Sequence, residues 1–166
     1  MEEDKKIVLS EDQTLILEIY DAKGNKTGEK LEFDMGDIEL PLRYQELIES
    51  DKKNRETLRN TMLVLEKKPD APGKNFMTRN QEAQVHALVD FFKKEVETYN
   101  LFLGENGVQK LLNGRKLKWD TLQEIDSIID EQIRPYIEID TKRVVEKIKK
   151  VYGKAAEAEK DVEVLD

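Results

Sequence analysis

The stretch that decides the fold runs from Thr78 to Gly104, TRNQEAQVHALVDFFKKEVETYNLFLG. Thr78-Arg79-Asn80-Gln81 has the form of a capping box, in which the Thr and Gln side chains satisfy free N–H groups at a helix start. Behind it Val85, Leu88, Val89, Phe92, Val96, Tyr99 and Leu103 recur at helical spacing and form one apolar face. Gly104 is placed to end the helix in the left-handed conformation. Phe91 and Phe102 lie beside this face, so the helix has apolar groups over a wide arc. Such an arc is covered on two sides, by other helices of the chain or by a partner.

Upstream, Pro69-Asp70-Ala71-Pro72-Gly73-Lys74-Asn75 is a loop. Before it Tyr44, Leu47, Ile48, Leu58, Met62 and Leu65 repeat at helical spacing behind Pro41, a residue suited to a first helical turn. Asp51, Lys52, Lys53 and Asn54 interrupt the stripe, which reads as two helices or as one half-exposed helix. Earlier still, Leu15 to Tyr20 is rich in β formers, and Asp21 to Gly28 has turn chemistry. Leu31, Phe33 and Met35 then alternate with charges. This is a β-hairpin with one wet face, and Ile38-Glu39-Leu40 reads as a short third strand. A bare hairpin is marginal, so its apolar side must lie on helices.

Downstream, a short helix spans Val108 to Leu112 and closes at Asn113-Gly114. Asp120-Thr121-Leu122-Gln123 looks like a cap, opening a helix with Leu122, Ile125, Ile128, Ile129 and Ile133 inward; Pro135 ends or kinks it. Asp140 or Thr141 then caps a last helix carrying Val144, Val145, Ile148, Val151 and Tyr152. The expected fold is mainly α with a small N-terminal antiparallel β-hairpin (α+β). Residues 1–12 form a flexible N-terminus, 13–152 one helical domain, and 153–166 a polar tail, frayed helix or disordered.

Composition narrows the function classes. The chain has 166 residues, 38% apolar and 39% charged, which suits helices with a narrow apolar stripe and broad charged faces. Its net charge of −8 repels phosphate backbones, so neither nucleic acid nor an anionic membrane is the expected partner. Lys142, Arg143, Lys147, Lys149 and Lys150 form the densest basic cluster. The chain has no cysteine, no basic leader and no apolar run of about 20 residues, which points to the cytoplasm.

No phosphate-binding loop, dinucleotide fingerprint, zinc-binding helix motif or nucleophile elbow occurs. His86 is the single histidine and reads as a surface or structural residue. Glu95 with Tyr99, Glu124 with Asp126, and Asp126 with Asp130 are pairs that could share a helix face. With 36 acidic residues such pairs arise by chance, and they read as solvated faces rather than metal ligands. Gly104-Glu105-Asn106-Gly107 lacks the ligands of a calcium loop and reads as a helix stop. Neither a cofactor nor an enzymatic activity is expected.

In order, these features resemble the siphophage tail assembly chaperones of Gram-positive hosts. Phe33-Asp34-Met35-Gly36-Asp37 and Tyr44-Gln45-Glu46-Leu47 stand for the strand end and first helix of that family. Phe91-Phe92 and the run from Tyr99 through Gly104-Glu105-Asn106-Gly107 to Lys110-Leu111-Leu112-Asn113-Gly114 stand for its Phe-rich helix, Gly-Glu turn and short helix. The resemblance covers about residues 13–135. It departs where Leu103 replaces Phe, where Asn106 displaces the second glycine and where Asn113 replaces an aromatic; the loop at 69–75 and the helix after Asp140 have no counterpart. It implies a non-catalytic protein in the bacterial host cytoplasm that coats the tape measure protein and helps recruit tail tube protein, with self-association as a further use of the same surface. That surface is expected at Phe91, Phe102, Leu103, Glu105, Leu111 and Leu112. An acidic protein-binding adaptor unrelated to tails is the alternative, and a metal-assisted enzyme built on paired carboxylates is a third class.

Overall fold

The computed structural model describes residues 13–153; the expected flexible N-terminus at 1–12 and the polar tail beyond Gly153 lie outside the described residues. Strands β1 (Gln13–Tyr20) and β2 (Lys26–Met35) pair antiparallel, with Leu15 opposite Phe33 and Leu17 opposite Leu31. The register follows from period-two alternation: Leu15, Leu17, Ile19, Leu31 and Phe33 share the covered face, while Glu18, Lys26, Lys30 and Glu32 pair on the wet one. The Asp21 carboxylate closes the turn by accepting from the backbone N–H groups of Lys23 and Asn25, each at 2.9 Å. The expected strand at Ile38–Leu40 is absent. Asp37 instead accepts from the Glu39 N–H at 2.9 Å and pairs with Arg43 at 2.8 Å, and Leu40 opens the first helix fully buried. The Arg43 guanidinium holds the Asp37 carboxyl below the usual carboxylate range.

Helix α1 (Leu40–Lys67) is continuous, which resolves the two readings of its stripe. The polar residues at 51–54 do not break it because their inward members find partners. Asn54 is buried against α2 (Arg79–Leu103), and Asp51 pairs with Arg55 one turn on. The loop between the helices is tied at both ends. Asn80 donates to the Leu65 and Lys68 carbonyls, satisfying the C-terminus of α1. The Thr78–Gln81 capping box forms as the sequence predicts.

The inward face of α2 lies about one residue around from the expected stripe. Phe91, Glu95, Tyr99, Phe102 and Leu103 are buried, Leu88, Phe92 and Val96 are half-buried, and Val85 and Val89 are exposed. A periodicity reading scores Glu95 as polar, so it turns the helix away from the row Glu95 anchors. The helix ends at Gly104 with φ +97° and an extended ψ, a glycine conformation though not the left-handed helical one expected.

Helix α3 (Gly107–Leu112) begins so close to α2 that a Cβ on Gly107 would strike the Leu103 Cβ. It ends, as expected, at Asn113 and Gly114, both at positive φ. Helix α4 (Trp119–Ile128) starts one residue before the predicted cap. Thr121 Oγ1, not Asp120, serves the entry by accepting from the Lys118 N–H at 2.7 Å. A π-helical turn (Ile129–Ile133) absorbs the proline at 135, and α5 (Arg134–Ile148) continues into a second π-helical turn (Lys149–Gly153). There is no cap at Asp140 or Thr141: Thr141 bonds back to the Ile137 carbonyl at 2.7 Å and the helix runs through. The result is mainly α with a small β-hairpin, as the sequence predicts. Its core gathers the hairpin face, α1 up to Leu47, α2 from Phe91, and the inner sides of α3, α4 and the start of α5.

Candidate protein-binding surfaces

The six residues expected at a partner surface are mostly inside the molecule. Phe102 is 4% exposed, its ring 5.4 Å from both Phe33 of β2 and Tyr44 of α1. Phe91 is buried, 5.3 Å from the Phe92 ring and 5.2 Å from Trp119 at the start of α4. Leu103 and Leu112 are buried, Leu111 is half-buried against the same core, and Glu105 alone stands open on its turn. Around Phe91 and Phe102 the apolar arc of α2 is therefore covered within the chain, by the hairpin and α1 on one side and by α3 and α4 on the other.

Titratable groups gather between α1, α2 and α4. Glu95 is 0% exposed; its Oε1 accepts from Asn54 Nδ2 at 2.7 Å, and Asn54 also donates to Thr98. Burial, then the Asp51 carboxylate, pushes the Glu95 carboxyl up to about 8. Arg55 lies 2.9 Å from Asp51 and 3.2 Å from Asp126, and the Tyr99 hydroxyl donates to Asp126. Burial raises both Asp126 and Tyr99. Beside this network is a cleft of about 470 Å³ whose lining includes Tyr44, Ile48, Asp51, Asp126, Asp130 and Arg134.

The network joins three helices, and its members are committed to one another. Asp126 is held by Tyr99 and Arg55, and Asp130 by Arg134 at 2.9 Å, so this pair of carboxylates does not converge on an open point. Among the described residues no group of three or more His, Asp or Glu is placed to hold a metal. His86 is exposed on α2, 3.8 Å from Glu82. No helix of the described residues is long and apolar enough to cross a membrane.

Two surfaces escaped the reading of the sequence. The first is the outer half of the α1–α2 pair. From residue 55 to residue 90 nothing is buried: beyond Leu58 and Leu88, which pack on the edge of the core, the two helices leave the body as a hairpin. Leu63, Val64, Val85 and Val89 are each about half exposed there. A groove of about 240 Å³ lies between the inner ends of these helices; its lining includes Thr57, Leu58, Thr61, Ala87 and Phe91, with Asp90 and Lys94 among its charged members. Val64 continues the row Thr57–Thr61 by helical spacing. A signal was present, since the loop at 69–75 folds 55–67 against 79–90 and no third apolar segment remains to cover them.

The second is the end of α5. Val144 is half-buried, but Val145, Ile148, Val151 and Tyr152, expected inward, are 44–69% exposed. The helix outruns the body it packs on.

No family model, curated protein or solved structure matches the chain.

Proposed function

We propose that this chain is a non-catalytic tail assembly chaperone, of the kind that holds a phage tape measure protein in the host cytoplasm and helps bring tail tube subunits to it. The observation that carries this reading is the two-helix projection at 55–90, with apolar residues half exposed and a groove at its inner end whose lining includes Thr57, Leu58, Thr61 and Ala87. Two helices bury only one side of each other. A third amphipathic helix laid in the Thr57–Thr61–Ala87 groove completes a bundle and covers Val64. Tape measure proteins are long and helical, so they offer such a segment repeatedly. The acidic exterior keeps the pair soluble while the client's apolar stripe is covered. The resemblance of the motif order to that of the chaperone family supports the same reading. Its binding surface moves from the Phe91–Leu112 region to the helical projection, with Phe91 retained as the floor of the groove.

The test is co-expression with a tape measure protein from the same genome. Thr61→Glu and Ala87→Glu each place a carboxylate under the client helix, at positions that are not buried in the chain itself. Each is expected to weaken client binding by about 2 kcal/mol or more, roughly thirtyfold in Kd, and to return the client to the insoluble fraction. Unchanged solubilisation by both variants would refute the groove. A wild type that solubilises no tail protein would refute the chaperone reading and favour an adaptor with another partner.

A further inference from the structure

The charge on the chain is unevenly placed. Residues 142–150 hold Lys142, Arg143, Lys147, Lys149 and Lys150 against the single Glu146, a net of +4 in a chain of −8, so the other residues carry −12. All five cations are exposed and none is ion-paired with a described carboxylate. The same segment is apolar on one side. Ile137, Thr141, Val144, Ile148 and Val151 follow one another at steps of four, three, four and three residues, the spacing of a helix–helix seam. The seam starts buried at Ile137 and emerges along the helix, with Ile148 at 53% and Val151 at 65% exposure.

The body offers a matching furrow. Pro41, Tyr44, Ile48 and Ile137 line an apolar groove of about 520 Å³, edged by Glu49 and Glu138. Through Tyr44 and Ile48 it joins the cleft lined by Asp51, Asp126, Asp130 and Arg134. Arg55 pairs with Asp51 and Asp126, and Arg134 with Asp130 and Glu138, so with Glu49 and Lys142 five carboxylates stand against three cations, a net of −2. The chain thus has a basic apolar arm and an acid-edged apolar furrow, and Thr141 and Lys142 at the root of the arm line the furrow's edge.

We infer that the arm at 142–153 docks in the furrow of a second copy of this chain, and that the second copy's arm returns the contact. Two arms packed only on each other set +4 against +4, so the acidic furrow is the complementary seat. Because arm and furrow meet at one edge of each molecule, the exchange is reciprocal and closes as a two-fold dimer. The contact uses neither the groove at 55–90 nor the client proposed for it.

Sedimentation velocity of the full-length chain over a concentration series, at low salt and at about 0.5 M salt, where the Debye length falls to about 4 Å, tests this directly. A dimer is expected at low salt, weakened by salt. Ile148→Glu is expected to raise the dimer Kd about tenfold or more, and because Ile148 is exposed the variant keeps its helical circular dichroism. Lys147→Glu with Lys149→Glu and Lys150→Glu takes the arm from +4 to −2, and Glu49→Lys with Asp130→Lys reverses the furrow. Each variant is expected to be monomeric alone, and an equimolar mixture of the two is expected to dimerise, because both docked arms then meet opposite charge. A monomeric wild type, a dimer indifferent to Ile148→Glu, or a mixture that stays monomeric would overturn the proposal. So would a monomeric wild type that binds random-sequence duplex DNA through the Lys147 and Lys150 side chains, which would give the arm to nucleic acid.

Discussion

Phe102→Ala is expected to cost about 3–5 kcal/mol of folding stability, measured as a shift in the urea unfolding midpoint at unchanged slope. The side chain is 4% exposed and its ring lies 5.4 Å from two others, Phe33 on β2 and Tyr44 on α1. It is where the hairpin, the first helix and the second meet. Truncation removes the aromatic contacts and leaves a cavity bounded by three elements that cannot all close on it. A two-stranded hairpin has little stability of its own, so β1 and β2 stay folded only while this seat holds them and unfold together with the helices. Phe91→Ala is expected to exceed Phe92→Ala, because Phe91 is buried between Phe92 and Trp119 while Phe92 is half-buried. A loss below about 1 kcal/mol for Phe102→Ala would mean that the hairpin does not dock through this ring.

Glu95→Gln is expected to stabilise the protein at pH 8 by about 2–4 kcal/mol and to leave it nearly unchanged at pH 4. The Glu95 carboxyl is buried, with Asp51, Arg55 and Tyr99 as its charged and titratable neighbours, and its proton is held up to about 8. At pH 4 the carboxyl is protonated in the folded and the unfolded chain, and no penalty exists. As pH rises past 4.5 the unfolded chain releases the proton while the folded chain keeps it. Folding then binds a proton, so stability falls with rising pH until about 8 and levels off there. Gln reproduces the protonated form: it keeps an acceptor for Asn54 Nδ2 and a donor toward Asp51, and it does not titrate. Chemical unfolding of both proteins across this range reads the difference directly. A variant less stable than wild type at every pH would show that Glu95 is ionised in the folded state and held by Arg55.

Much of the fold was legible because its signals are local. The alternation around Leu31 and Phe33, the Thr78–Gln81 capping box and the stops at Gly104 and Asn113 each depend on a few neighbouring residues. The errors came from residues whose environment is set across the fold. Asn54 and Glu95 look like breaks in apolar stripes, yet each is buried because the other is opposite it at 2.7 Å. Missing that pair turned α2 by one position and placed Val85 and Val89 in the core. Asp140 resembles a cap but sits buried in the middle of α5, because the helix had already begun on the far side of Pro135. The proposed surface was illegible for a related reason. Apolar spacing shows that a helix has a face but not whether the chain holds another element to cover it. For α2 near Phe102 such elements exist in the hairpin, α1 and α3; for 55–90 and for the end of α5 they do not.

The central claim is that the two-helix projection at 55–90 is where a client helix is held. Hydrogen–deuterium exchange of the full chain, alone and with a soluble helical segment of the tape measure protein, tests it most directly. Alone, 55–67 and 79–90 are expected to exchange faster than α4 and the inner half of α2, since nothing in them is buried. With the client segment, exchange at 57–65 and 83–91 is expected to slow while the β-hairpin and α3 stay unchanged. Client-dependent slowing confined to α3 and α4, or none at 55–90, would contradict the account.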